Sequence, residues 1–362
     1  MNILITGATG FVGYYVIQAL GGFQTFPQNA VSLEFLKSRQ FIKHKPAPAS
    51  IPISTTPTPK HKSMSAPPHT LLPHVCTPLA DENGTIDLRD IKRLKSFLSP
   101  KSHTLSFDAV IHLAAQSFVP ESFKNPIETY GINFTGTFNL LTALKETGFK
   151  VKMLYVSSGD IYGLVDESSL PIKEEYPLMP RNPYAVSKVA VEAMCYQWSV
   201  AEPDMRFIIA RPFNHIGPNQ SERFAVSSFA KQVTEIELGL RKPVISAGNI
   251  DVTRDFLDVR DVADAYKLLL ENENVYDINN RFGIFNVCSG SEISMRSILN
   301  LMFEITGIDA EIRIDETKLR PNEQKRIYGS SDKLKKYTGW QPKIPLKKGI
   351  EDILNYWREK LR

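Results

Sequence analysis

An α/β fold built on a doubly wound parallel sheet, with a smaller C-terminal α/β lobe, is what this sequence predicts. Three observations point to it. A short apolar run, Asn2-Ile-Leu-Ile-Thr6, leads straight into glycines at Gly7, Gly10 and Gly13 and then into an apolar, helix-like stretch over 11–20. Strand-like apolar runs then alternate with helix-length segments as far as residue 212, the order that gives parallel strands with crossover helices. Finally, the chain has 362 residues, of which 42% are apolar and 23% charged, enough for a large core in one big domain or two lobes.

Each element follows in order. Residues 3–5 are apolar without alternation, as in a strand covered on both faces. Residues 23–78 break the pattern. They hold ten of the 24 prolines, four of the seven histidines, and six Lys/Arg against the single acid Glu34. The run over 45–73 is rich in Pro, Ser and Thr, shows no period, and reads as loop or disorder. Compact domains rarely carry structureless loops above ~15 residues. The tract is therefore read as an insertion within a first domain over 1–211, with 43–68 expected outside the core. His74-Val75 or Thr70-Leu-Leu72 offers a replacement strand. Further on, 108–115 and 152–157 read as buried strands and 205–210 as a third. Helices are predicted over 126–145, over 181–198 entered through Pro183, and over 261–270, 295–306 and 346–360. The second lobe is assigned mainly to 212–362.

Three motifs carry chemistry. Thr6-Gly-Ala-Thr-Gly-Phe-Val-Gly13 lies between a strand and a helix. There glycines allow a tight turn and let backbone amides approach a pyrophosphate, so a Rossmann-type dinucleotide site is predicted. Ser157-Ser158-Gly-Asp160 ends a buried strand, where open α/β sheets bind ligands and a serine can hydrogen-bond a substrate oxygen. Tyr184-Ala-Val-Ser-Lys188 places a phenol and an ammonium on one helix face. The ammonium is expected to lower the phenol pKa and make it a general acid/base. Taken singly, the last two also fit a polar turn and a solvated helix face.

The conjunction of the three resembles the extended short-chain dehydrogenase/reductase family acting on nucleotide sugars, over 1–22 and about 80–362. Four longer stretches sharpen it: Arg181-Asn-Pro-Tyr-Ala-Val-Ser-Lys188, Ala210-Arg-Pro-Phe-Asn-His-Ile-Gly-Pro-Asn-Gln220, Thr253-Arg-Asp-Phe-Leu-Asp-Val-Arg-Asp261 and Phe285-Asn-Val-Cys-Ser-Gly290. They look like the branch that reduces GDP-4-keto-6-deoxy-D-mannose at C4 to GDP-D-rhamnose. The resemblance implies Ser158, Tyr184 and Lys188 as the catalytic set. For the cofactor, NADPH or NADH, it implies Gly7, Gly10, Phe11, Val12 and Gly13 at the pyrophosphate. Leu113, Ala114 and Ala115 would lie at the strand end, Asp87 and Leu88 near the adenine, and Tyr184 and Lys188 again at the nicotinamide end. For the GDP-sugar it implies Asp160, Asn214, Arg254, Arg320 and Glu323, with Arg254 suited to a diphosphate. Asn133 takes a structural role at a helix irregularity and His215 a loop role. A homodimer, or a tetramer built from it, is implied through the helices after the Ala114 and Ser157 strands.

Position 160 selects among reactions. The family's dehydratases resemble a pattern with Glu there, and its epimerase-reductases one with Cys. Aspartate is one methylene shorter than glutamate and is not a thiol, so simple carbonyl reduction is expected. A GDP-mannose 4,6-dehydratase, a nucleotide-sugar 4-epimerase, a non-catalytic dinucleotide-binding protein and an impaired enzyme stay open as alternatives. Glu34 is the one acid near the usual ribose-reading position, about 20 residues past the glycines, and leaves NAD and NADP equally open.

Composition excludes other classes. The net charge is +4, but 23–78 alone carries +5, and no nucleic-acid-binding module accompanies it. Cys76, Cys195 and Cys288 form neither a disulfide framework nor a zinc spacing, and no metal site is expected. No run reaches ~18 apolar residues, and no basic region precedes Ile3, so neither a membrane span nor a secretory leader is expected. A reducing, cytoplasmic setting follows.

Overall fold

The computed structural model describes residues 1–21, 75–81, 84–99, 107–277, 279, 281–319 and 323–362. Six parallel strands form the central sheet: β1 (Asn2–Thr6), β2 (Val75–Pro78), β3 (Ala109–His112), β4 (Val151–Val156), β5 (Met205–Pro212) and β6 (Phe282–Val287). Their spatial order is β6-β5-β4-β3-β1-β2. The strands are apolar on both faces because both are covered. Ile3, Ile5, Ile111, Leu154 and Ile208 face one layer, packed under the helices Phe11–Ala19 and Val259–Glu271. Leu4, Val110, Met153, Tyr155, Phe207 and Ile209 face the other, under Ile91–Leu98, Gly136–Glu146 and Pro183–Ala201.

The second core gathers the helices Ala225–Glu237, Met295–Thr306 and Leu346–Leu361 around Phe229, Val233, Leu299, Ile353 and Trp357. Two small sheets attach to this part of the chain: Val244–Ala247 with Glu311–Ile314, and Ile293–Ser294, Thr253–Arg254 and Arg326–Ile327. A small cluster of Ile161, Tyr162, Ile172, Phe213 and Cys288 lies beside the end of β4.

One boundary differs from that read in the sequence. The tract over 23–78 ends inside the sheet: Val75–Pro78 pairs in parallel with Asn2–Ile5 and takes the place beside β1. One of the two candidate replacement strands is thus realised in part. Its four residues are hidden in the sequence by the surrounding prolines. The rest of that tract, including 43–68 and Glu34, lies outside the described residues. Not all of 212–362 packs in the second core. The helix Val259–Glu271, strand β6, Leu334 and Trp340 all return to the first core, because β5 needs a partner on its free edge and an apolar cover. Among the described residues no helix is long and apolar enough to cross a membrane.

Candidate active site

The glycine loop leaves β1 at Thr6. Gly7 has φ +71°, and a Cβ there would lie 2.8 Å from the Ala114 amide nitrogen. A Cβ on Gly13 would lie 2.5 Å from the Gly7 carbonyl oxygen. Only glycine permits this closeness. The helix that follows starts at Phe11 without any side-chain cap, so its first amides face outward. Open amides at a helix N-terminus reached through a bare-backbone turn fit the pyrophosphate of a dinucleotide. Leu113 and Ala114 press against Gly7, as expected of the strand end, although β3 itself stops at His112.

Asp87 has a partner within the chain. Its carboxylate accepts from Arg89 Nε at 3.0 Å and Nη2 at 2.6 Å, while Arg89 Nη1 reaches Glu128 at 2.9 Å. The hydrogen bonds from Arg89 hold the Asp87 carboxyl below its ordinary range. The Asp87 side chain stays half exposed. Leu88 is buried under Gly136.

The second part of the site gathers where β4 ends. Ser158 begins a short 3-10 turn, Gly159–Tyr162, and its hydroxyl accepts from the Asp160 amide at 3.2 Å. Opposite stands the helix Pro183–Ala201. Asn182 starts it by accepting from the Ala185 amide at 2.7 Å, with Pro183 in the first turn. The same Asn182 donates through Nδ2 to Asp160 at 2.9 Å. Sequence reading missed this double role, although an Asn directly before a first-turn Pro is a capping signal.

Tyr184 is 8% exposed and Lys188 is 4% exposed. The Ser158 side chain is close enough to the Tyr184 phenol to favour its ionised form. Lys188 Nζ donates to the Val156 carbonyl at 2.7 Å and lies 5.7 Å from the centre of the Tyr184 ring. The three predicted residues therefore do meet. One expectation is corrected. Burial raises the Tyr184 pKa above its ordinary value, with Ser158 opposing and the Asp160 charge adding to the rise. Lys188 does not lower it, because burial brings its own pKa down to about 7 and its ammonium is spent on a carbonyl.

A chain of hydrogen bonds joins the glycine loop to this helix. The Ala114 amide donates to Thr6 Oγ1 at 3.2 Å, and Thr6 Oγ1 lies 2.6 Å from His112 Nδ1. His112 Nε2 lies 2.8 Å from Thr137 Oγ1, which donates to the Asn133 carbonyl at 2.6 Å. Since Thr137 spends its proton on that carbonyl, His112 must donate from Nε2 and accept at Nδ1. Burial, with the Lys188 charge, holds the imidazole neutral, its pKa lowered to about 3. Asn133 sits in a π-helical turn, Gly131–Thr135, and donates to the Gln116 carbonyl and to Ser187 Oγ, which donates to the Tyr184 carbonyl at 2.6 Å. The structural role expected of Asn133 is met.

On the other lobe, Asn214 donates to the Asp255 carbonyl at 3.4 Å. Arg254 pairs with Glu323 at 3.0 Å and donates to the Gln324 carbonyl at 2.9 Å. Two predicted substrate contacts, Arg254 and Glu323, thus hold each other. Phe11 of the glycine loop stacks on His215 at 6.1 Å, joining the two halves of the site. Arg320 lies outside the described residues.

Comparison with known proteins shows the family. A family profile described as GDP-mannose 4,6 dehydratase matches residues 82–353. A GDP-6-deoxy-D-mannose reductase from Pseudomonas aeruginosa is 46% identical over 255 residues, 70% of this chain and 82% of that protein. A UDP-glucose 4-epimerase from Halalkalibacterium halodurans is 31% identical over 287 residues, covering 75% of this chain and 81% of its own. Among solved structures, RMD from Pseudomonas aeruginosa complexed with NADPH superposes with a TM-score of 0.76 at 36% identity, covering 99% of this chain and 100% of that one. The Thermus thermophilus UDP-glucose 4-epimerase complexed with NAD gives 0.70 at 25% identity, covering 99% of each chain. The chain belongs to the GDP-mannose 4,6-dehydratase family, within the extended short-chain dehydrogenase/reductases that act on nucleotide sugars.

Proposed function

We propose that this chain reduces the C4 keto group of GDP-4-keto-6-deoxy-D-mannose to give GDP-D-rhamnose. The observation that carries the reading is the Ser158, Tyr184 and Lys188 cluster with Asp160 at its mouth, in a chain 46% identical to a GDP-6-deoxy-D-mannose reductase. When bound, NADPH or NADH supplies the hydride. Gly7, Gly10 and Gly13, with Phe11 and Val12, hold its pyrophosphate. Ser158 donates to the keto oxygen, and Tyr184 delivers its proton there as charge develops. Burial suits this proton transfer, since reduction needs the phenol protonated at the start and a raised pKa keeps it so. Lys188, held beside the Tyr184 ring by the Val156 carbonyl, would contact the nicotinamide ribose of the bound cofactor. Arg254 and Glu323 bind the diphosphate and the nucleoside, and Asn214 the sugar. Asp160, shortened and tethered to Asn182, makes a poor base for the C5 proton.

The test is anaerobic incubation with GDP-4-keto-6-deoxy-D-mannose and each of NADPH and NADH, the product read by NMR. One cofactor oxidised per GDP-D-rhamnose formed is expected. Conversion of GDP-mannose to the keto sugar without added reductant would instead make the chain a dehydratase.

Dimerisation belongs to the same reading. Phe123, Ile127, Tyr130, Phe134 and Phe138 recur at three- and four-residue spacing and are 37–86% exposed, with Tyr196 and Val200 exposed on the neighbouring helix. Pairing of these helices with those of a second copy covers the stripe. Sedimentation at micromolar concentration is expected to give a dimer, and Ile127→Asp a monomer. A monomeric parent protein would refute the pairing. The three cysteines are buried and unpaired, which suits a reducing compartment such as the cytoplasm.

A further inference from the structure

Glu192 is a buried carboxylate for which the mechanism above has no use. It lies one helical turn beyond Lys188, on the same face of the helix Pro183–Ala201, and is 5% exposed. Its oxygens accept from Arg211 Nε at 3.1 Å and Nη2 at 2.7 Å. The remaining Arg211 amino group, Nη1, donates to the Tyr162 hydroxyl and to the Glu174 carbonyl, both at 2.9 Å. Tyr162 in turn donates to Asn286 Oδ1 at 2.7 Å, and the Asn286 amide to Glu174 Oε1 at 2.8 Å. Arg211 is thus clamped from β5, and Glu192 has no freedom to turn away from the helix.

A buried ion pair is weak support for stability, since apolar residues of the same volume often stabilise a fold as well or better. Its position suggests another use. Lys188 is buried among groups that do little for a charge. They are the Val156 carbonyl, the rings of Tyr155 at 4.9 Å and Tyr184 at 5.7 Å, the neutral imidazole of His112 and the thiol of Cys195. Asp160 and Tyr266 act on Tyr184 or are acted on by it.

We propose that Glu192, clamped by Arg211, is a positioning residue that keeps the Lys188 ammonium charged in the folded site. The inference rests on the function proposed above. Burial is the largest influence on Lys188 and brings its pKa down to about 7, and Glu192 is the foremost group opposing that fall. The ammonium is present below that pH and lost above it. Without the Glu192 charge burial acts with less opposition, and the proton leaves at lower pH.

The experiment is a titration of Lys188 in ligand-free protein by NMR of 13Cε-labelled lysine, assigned with Lys188→Met, beside the pH profile of kcat/KM. Glu192→Gln keeps the shape and loses the charge. Its Lys188 pKa is expected to fall by about one unit or more, with the alkaline limb of kcat/KM moving down alike, and Glu192→Asp to restore both. An unchanged Lys188 titration in Glu192→Gln overturns the proposal, even if the variant unfolds sooner. If Lys188 titrates lower as expected but the parent protein does not reduce the GDP-keto sugar, the positioning role stands and the proposed function fails. Should Glu192→Gln not fold, Glu192→Gln/Arg211→Met removes the stranded guanidinium as well and faces the same titration.

Discussion

Tyr184→Phe is expected to lower kcat by about 100-fold or more while the binding of cofactor and GDP-sugar survives. The substitution deletes one oxygen and leaves the ring, so packing against Lys188 Nζ, 5.7 Å from its centre, is unaffected. The helix keeps its start, because Asn182 caps it through the Ala185 amide and Ser187 holds the Tyr184 backbone carbonyl. What goes is the proton that the developing alkoxide needs, together with the partner of Ser158. Burial holds the phenol pKa above its ordinary value, so no alkaline loss of activity below about pH 9 is assigned to Tyr184. Steady-state kinetics with the GDP-keto sugar, and isothermal titration with GDP, check both halves. A variant that keeps its kcat but loses binding would remove Tyr184 from proton transfer.

Much of this is legible in the sequence, for identifiable reasons. The helix over 295–306 is marked at both ends, since Ser294 caps it and Gly307 ends it in the left-handed conformation. Strands β3 to β5 announce themselves as mostly apolar runs, because both of their faces are covered. The meeting of Ser158, Tyr184 and Lys188 is what the family resemblance of the three motifs together implies. Three things are not legible. Strand β2 is four residues long and lies next to prolines, so no period can form. The link from Thr6 through His112 and Thr137 to Asn133 is made by residues 106 and 25 positions apart, a closeness only the fold supplies. The reversal at Tyr184 depends on burial: an i,i+4 lysine lowers a phenol pKa only while it holds its own charge and points it at the oxygen, and Lys188 Nζ turns instead to the Val156 carbonyl.

Gly13→Ala is expected to weaken cofactor binding by crowding the protein itself. The added methyl would sit 2.5 Å from the Gly7 carbonyl oxygen, 2.7 Å from that of Ala8 and 2.8 Å from the Ala8 carbonyl carbon. All three are backbone atoms, so no side chain can swing aside. The loop cannot retreat either, since Gly7 already has the Ala114 amide and the Leu113 carbonyl carbon against it. The remaining response is to tilt the helix Phe11–Ala19, whose buried Tyr15, Val16 and Ile17 pack in the core with β1 and Val259–Glu271. Overpacking of this kind costs about 1–3 kcal/mol. Where the strain is relieved by opening the loop, that corresponds to roughly 5- to 150-fold in the cofactor dissociation constant. Fluorescence titration with NADPH reads the affinity, and thermal unfolding without cofactor reads the crowding. Both should fall together. Parent-like NADPH affinity would mean that this loop is not the seat of the dinucleotide, whereas lost affinity at an unchanged unfolding midpoint would mean that the methyl meets the ligand rather than the chain.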